Sequence, residues 1–374
     1  MAPVRAWRQA LRGHRGLALL LVAHVALATL LALHVLGAQG LLVAAALVAL
    51  VLLLPPDVAL RRTPIVFVIA WLALVGGEAW LRAHPTQVGG GGGGNPALAG
   101  LYADLYHYNA LGLRGREVPR EPGAGTFRIL AIGDSFTLGQ GLGEDDTWPA
   151  RLERLLAEGR AGAGPPGADA HPEVLNAGRA GNDAWASADF LRETGLSLHP
   201  RLVILQFYVN DVQRRSAAAD EPALAQLLTS LRAPLRSSYV LFWLRDQLHA
   251  RPDLEDWLAA VANGVERGSP AWRDFSAALA DCAAQLRAAD VPLLVVLFPH
   301  PGPPRDTVAR VHAAVTESCR RSGLRVLDLQ ADLATVPVGE QALSEMDQHG
   351  SAAYNAAAAR AIADELAAAG LLPE

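Results

Sequence analysis

The sequence contains no lysine; all 32 of its basic residues are arginine. That absence removes several kinds of chemistry at once. A Walker-type phosphate loop needs a lysine, and so do pyridoxal Schiff bases and Ser-Lys dyads. In a chain so rich in Ala, Gly and Arg, the missing lysine also reflects a bias of composition. Cysteine is almost absent, with only Cys282 and Cys319, and their spacing fits no metal site. A positive surplus is lacking too. The net charge of −5 leaves no electrostatic footprint for nucleic acid. No internal repeat is evident.

Apolar residues are abundant, 51% of the chain, and they are unevenly placed. From 16 to 54 the sequence is nearly unbroken Leu, Ala and Val, with His24, Thr29, His34 and Gln39 as its polar side chains. One helix of that length would reach about 58 Å at 1.5 Å per residue, nearly twice a hydrocarbon core of about 30 Å. The stretch is therefore expected to form two spans, with "HVLGAQG" (34–40) as the turn. A third candidate span runs from Pro64 to about Leu81. Arg5, Arg8, Arg12 and Arg15 precede the first span, and Arg61 and Arg62 separate the second from the third. The positive-inside rule puts both groups in the cytoplasm and everything after Leu81 outside. A cleaved signal peptide is the competing reading of the first span, but more apolar stretches follow and no small-x-small cleavage site is clear. His24 and His34 could mark a proton path or simply be tolerated near a helix end.

Three segments are expected: a membrane region at 1–82, a linker at 83–104 and a catalytic domain at 105–374. "GGGGGG" (89–94) reads as a flexible linker, since no strand precedes it to make a phosphate cradle. Beyond it, apolar runs at 128–132, 173–175, 202–207, 292–298 and 325–329 alternate with helical patterns at 148–159, 275–290 and 306–323. Such alternation argues for an α/β domain with a parallel sheet covered on both faces. The stretch 216–272 is a helical insertion holding Tyr239, Phe242, Trp243, Trp257 and Trp272; it either covers the site or packs on the domain. Right-handed crossovers put the helices of Cys282 and Cys319 on one side of the sheet, where they are expected to be neighbours. A disulfide and two buried thiols are both open readings.

Ligands of an open α/β sheet sit beyond the carboxyl ends of its strands. Gly133-Asp134-Ser135 follows the first strand, "NAGRAGND" with Gly178 and Gly181 the second, and "YVND" with Asn210 and Asp211 the third. "PHPGPP" with His300 follows the fourth, and Asp347 and His349 come just before the last helix. Acyl transfer needs this set. His349 can take the proton of Ser135, and Asp347 can orient the imidazole. The N–H groups of Ser135 and Gly181 and the Asn210 amide can hold an oxyanion. Taken alone, Ser135 would also suit a helix cap. Asp134 and Asp211 suit loop-bracing side-chain bonds, and His300 among prolines suits a loop. "GQGLG" (139–143) has the wrong spacing for a dinucleotide fingerprint.

"GDSFTLG", "NAGRAGND", "YVND" and "DQH" resemble, in order, the four sequence blocks of the SGNH (GDSL-type) hydrolases over roughly 105–370. "YNALGLRGREVP" (108–119) is similar to the lead-in of membrane-anchored bacterial members. The resemblance implies a flavodoxin-like three-layer α/β/α fold and ester hydrolysis with no metal or organic cofactor. Ser135 would be the nucleophile, Gly181 and Asn210 oxyanion-hole residues, and Asp347 and His349 the acid and base. Two departures stand out. Tyr208 occupies the place of a glycine, which would narrow the pocket. Asp347 and His349 are one residue closer than usual, leaving Glu345 as a fallback carboxylate. The expected protein is a membrane-anchored, extracytoplasmic esterase acting on O-acyl polysaccharide or a lipid ester. An O-acyltransferase using the same triad on envelope glycan, and an anchored binding protein without turnover, are the alternatives. Oligomeric state is not legible.

Overall fold

The structure, a computed structural model, describes residues 62–84, 105–159, 171–212, 238, 240, 254–303, 305–344 and 347–373. The two candidate spans within 16–54, the glycine run 89–94, Glu345 and most of 213–253 lie outside these residues. The chain divides into two compact units, Met1–Pro85 with Glu221–His249, and Thr86–Asp220 with Ala250–Glu374.

In the first unit, helix α1 spans Thr63–Ala83, with a proline in its first turn where no N–H is missed. Its Leu72, Leu74, Val75 and Trp80 are exposed. Among the described residues, no helix is long and apolar enough to cross a membrane. Near the end of α1, the Glu78 carboxylate accepts bonds from Ser238 Oγ at 2.9 Å and Val240 N–H at 3.0 Å. The chain thus returns to this unit from between two elements of the other.

The second unit is built on five parallel strands: β1 (Thr126–Ile132), β2 (His171–Asn176), β3 (Leu202–Phe207), β4 (Leu293–Leu297) and β5 (Arg325–Asp328), in the order β2-β1-β3-β4-β5. That is the flavodoxin-like doubly wound order. All six residues of β3 are buried, as are the last five of β1. Strands covered on both faces read as continuous apolar runs for this reason. Helices of this unit, in chain order, include α2 (Ser135–Leu138), α3 (Trp148–Ala157), α4 (Ala184–Glu193), α5 (Leu254–Glu266), α6 (Pro270–Ala288), α7 (Arg305–Arg321) and α8 (Ala352–Ala368), with two short turns of helix, Gln330–Leu333 and Val338–Gln341, between α7 and α8. Helix α3 packs against α8, α4 against α6, and α5 against α7. Right-handed crossovers place the first pair on one face of the sheet and the others on the opposite face, giving three layers. Side chains of Thr147, Asp183, Ser269 and Ser351 cap α3, α4, α6 and α8, each satisfying an N–H that the helix itself cannot.

Helix α5 lies within the stretch read as an insertion. It buries Leu258, Val261, Ala262 and Val265 in the core of the catalytic unit. It also bears on the two cysteines, because α7 takes α5 as its helix neighbour while α6 takes α4. Cys282 on α6 and Cys319 on α7 are both free and buried, and burial pushes each thiol up to about 12.

One charge sits inside the sheet. Arg128 on β1 is fully buried. Its guanidinium meets Glu173 of β2 at 2.5 Å and the carbonyls of Arg120, Leu198 and Pro119 at 2.6, 2.7 and 2.8 Å. These bonds anchor the approach to β1 at the sheet end opposite Ser135. Replacing it, Arg128→Met, leaves three carbonyls without their donor and Glu173 with only Arg116 at 3.6 Å, so unfolding measurements should show a loss of about 3 kcal/mol. The thiols give a second check. A thiol reagent should modify neither cysteine in the native protein and both after unfolding, with no mass change on reduction.

Candidate active site

Strand β1 delivers the chain to Gly133-Asp134-Ser135. Asp134, not Ser135, caps the following turn: its Oδ1 accepts the Phe136 N–H at 2.9 Å. Ser135 therefore stands at the first helical position with its hydroxyl free of capping duty. Gln206, the polar residue of buried β3, accepts from Asp134 N–H at 3.1 Å and from Thr137 Oγ1 at 2.9 Å. The turn is thereby fixed to the central strand. On its other side, a Cβ at Gly178 would lie 2.1 Å from the backbone nitrogen of Leu138. Only glycine allows β2's loop to press that closely on α2.

Ser135 Oγ lies 2.9 Å from His349 Nε2, and His349 Nδ1 lies 2.6 Å from Asp347 Oδ1. The one-residue spacing is thus wide enough for contact. A tight turn achieves it, with the His349 N–H also donating to Asp347 Oδ1 at 3.1 Å and the Asp347 N–H donating to Ser344 Oγ at 3.0 Å. Asp347 is fully buried, while Ser135 and His349 keep only slight exposure. Helix α8 then holds the turn in place. Asn355 accepts from the Trp148 N–H of α3 at 3.0 Å and donates to the Gly350 and Ser351 carbonyls. Burial opposes the charged imidazolium of His349. The charge and hydrogen bond of Asp347, with Asp134 behind, outweigh it and raise the imidazole above its ordinary value.

Three donors face the same edge. Gly181 has φ +71°, a left-handed conformation that glycine adopts at no steric cost. Neither its N–H nor that of Ser135 has a protein acceptor among the described residues. Asn210, in the 3-10 turn Val209–Val212, places Nδ2 at 3.4 Å from Asp134 Oδ2. One amide hydrogen leans on that carboxylate and the other remains for a ligand.

Both neighbouring carboxylates brace loops. Asp211 Oδ2 accepts the Tyr208 N–H at 2.9 Å. Burial raises Asp134 and Asp211, and each of Asp211's charged neighbours, Asp134 first, raises it further. Tyr208 stacks on Phe136 with ring centroids 4.4 Å apart, and Phe136 lies 5.4 Å from the His349 ring. The Tyr208 hydroxyl is 2.6 Å from His300 Nδ1. His300 is thus no ordinary loop residue. It is buried beside the site, and burial, with the charge of His349, lowers it to about 4.

Of the other residues at the site, Tyr106 and Gln140 carry no sequence signature, and Arg114 lies in the lead-in 108–119. Gln140 is buried with its amide nitrogen 3.4 Å from His349 Nδ1. Since Nδ1 donates to Asp347, the amide can join that bond only through its oxygen, turned over. Arg114 and Tyr106, from the lead-in segment, enclose the loop that holds Gln140. Only their position in the fold reveals them, because their partners are backbone groups. Among the described residues, no cluster of three or more His, Cys, Asp or Glu could hold a metal ion.

The sequence profile of the GDSL-like Lipase/Acylhydrolase family matches residues 131–361, well over half of the chain. Among solved structures, the lipase/acylhydrolase from Enterococcus faecalis is 14% identical, with a TM-score of 0.40, covering 65% of this chain and 96% of that one. A catalytic mutant of an acetylxylan esterase from Geobacillus stearothermophilus is 16% identical, with a TM-score of 0.41, covering 66% of this chain and 95% of that one. The search of curated proteins returned no match. With a profile match running from the end of β1 into the last helix, the chain belongs to the GDSL-like lipase/acylhydrolase family, a family of ester-bond hydrolases.

Proposed function

We propose that this protein is a serine esterase that works through an acyl-serine intermediate and is displayed outside the cytoplasm from a membrane anchor. The observation that carries the chemistry is the continuous chain from Ser135 Oγ through His349 to Asp347, at 2.9 and 2.6 Å. Neutral His349 accepts the Ser135 proton as Oγ attacks the ester carbonyl. Asp347 holds Nδ1–H and stabilises the imidazolium that forms. The carbonyl oxygen becomes an anion held by the N–H groups of Ser135 and Gly181 and by Asn210 Nδ2. Collapse expels the alcohol, which takes the proton from His349. Water, deprotonated by the same imidazole, then releases the acid and restores Ser135.

The anchor rests on the sequence. The apolar run 16–54 and the flanking arginines support cytoplasmic positive segments with the catalytic unit on the far side. The exposed Leu72, Leu74, Val75 and Trp80 of α1 support a helix in apolar surroundings. An enzyme so placed would meet O-acyl groups of envelope polysaccharide or lipid esters.

Five measurements test the reading. A membrane-impermeant fluorophosphonate applied to intact cells should label the wild type and leave Ser135→Ala unlabelled. Labelling that appears only after lysis would refute the outward display. The rate kcat/KM should rise with pH through a midpoint above 6.5, because the reactive imidazole is the neutral form and its pKa is raised. Asp347→Asn should lower kcat by about 10⁴-fold and move that limb to lower pH, since the charge that raises His349 is gone. Asn210→Ala should lower kcat by about 10²–10³-fold. Product analysis with added glycan checks the acceptor: free acid supports hydrolysis, and acyl-glycan as the main product would replace it with acyl transfer.

A further inference from the structure

The turn that carries Ser135 is held from outside the sheet by one buried cation. Arg114 is 4% exposed and enters beside β2, where its N–H donates to the Asn176 carbonyl at 3.0 Å. Its guanidinium donates to the carbonyls of Leu138 at 2.5 Å, Gly139 at 2.8 Å and Leu142 at 2.5 Å. The Tyr106 ring covers its face at 4.5 Å, and the Tyr106 hydroxyl accepts the Gly141 N–H at 3.0 Å. No carboxylate lies within ion-pair distance of Arg114 among the described residues. Its charge is balanced by carbonyl dipoles and an aromatic face. The last carbonyls of any helix lack partners, and a four-residue helix has little else to hold it.

We propose that Arg114 is a positioning residue for the reaction: by gathering the carbonyls of 138, 139 and 142 it sets the geometry of the Ser135 turn and of Gln140 against His349. The coupling is short. The Ser135 carbonyl accepts the N–H groups of both Gly139 and Gln140 at 3.0 Å. Gly141 sits against Leu343, whose N–H donates to the His349 carbonyl at 2.9 Å. The loop 138–142 therefore touches both the nucleophile and the turn bearing the base. Arg114 itself touches neither substrate nor any triad side chain. The segment by which the chain enters the catalytic unit is in this way part of the site's framework.

This inference rests on the esterase reading for its kinetic part, and the test separates the two. Full-length Arg114→Gln and Arg114→Lys are compared with the wild type in kcat, KM, fluorophosphonate labelling rate and hydrogen exchange over 134–143. A nucleophile displaced by about 1 Å costs about 100-fold. Arg114→Gln should therefore lower kcat and the labelling rate by about that factor while KM changes less than threefold. Lysine, a point donor that cannot span three carbonyls, should restore only part. Exchange at Gly139–Leu142 should quicken in both variants while β1 and β3 stay protected. If Arg114→Gln does not fold, Tyr106→Phe, which removes the hydroxyl that accepts the Gly141 N–H, should give a smaller loss of the same kind. Unchanged kcat with unchanged exchange overturns the proposal, as does a loss confined to KM. If the wild type neither hydrolyses esters nor takes the probe, the esterase reading falls, and the exchange result alone decides whether Arg114 holds the turn.

Discussion

A single helical turn cannot stabilise itself in water, yet Ser135 stands on one. Everything around it answers that constraint. Asp134 closes the front of the turn, Gln206 ties it to the central strand, and Gly178 lets the neighbouring loop press against its backbone. Arg114 closes the rear. The four contacts come from four separate parts of the chain, so the turn exists only when the unit is folded.

Burial organises the charges at the same edge. Asp134 and Asp211 are nearly inaccessible and burial raises both; Asp211 is raised further by the charge of Asp134. Asp347 is buried too, with an imidazole 2.6 Å away. His300, with a phenol hydroxyl as its partner, is lowered by burial and by the charge of His349. Two histidines near one site thus shift in opposite directions, because the carboxylate of Asp347 outweighs burial at His349 and no carboxylate does so at His300.

Much of this was legible in the sequence. Strand β3 has the bounds its apolar run predicts, and the other four strands lie where apolar runs mark them. Strand β2 begins earlier than its pattern suggests, at His171, since an edge strand tolerates polar residues and a proline. Helix α6 starts at Pro270, ahead of the pattern read at 275–290, with the Ser269 side chain as its cap. The candidates Ser135, Gly181 and Asn210 could be named because each follows a strand end in a motif, and Asp347 and His349 because they share a motif just before the last helix. Tyr106 and Gln140 could not. Arg114, in the lead-in 108–119, and His300, after the fourth strand, could be noticed but not placed. They bond to backbone carbonyls, a backbone N–H or a lone ring partner, and such contacts leave no spacing to read. Helix α5 shows another limit: a helix that packs on the sheet layer and one inserted above it have the same periodicity.

The return of Ser238 and Val240 to Glu78 makes the catalytic unit discontinuous along the chain. Residues 221–249 leave it and come back, so the polypeptide passes between the two units at three places rather than one. After a single cut in the glycine run, the catalytic unit would keep its peptide links to 221–249 but would be joined to Met1–Pro85 only through non-covalent contacts such as those at Glu78. A recombinant fragment beginning after the glycines would meanwhile carry 221–249 without the helix whose carboxylate receives its hydrogen bonds.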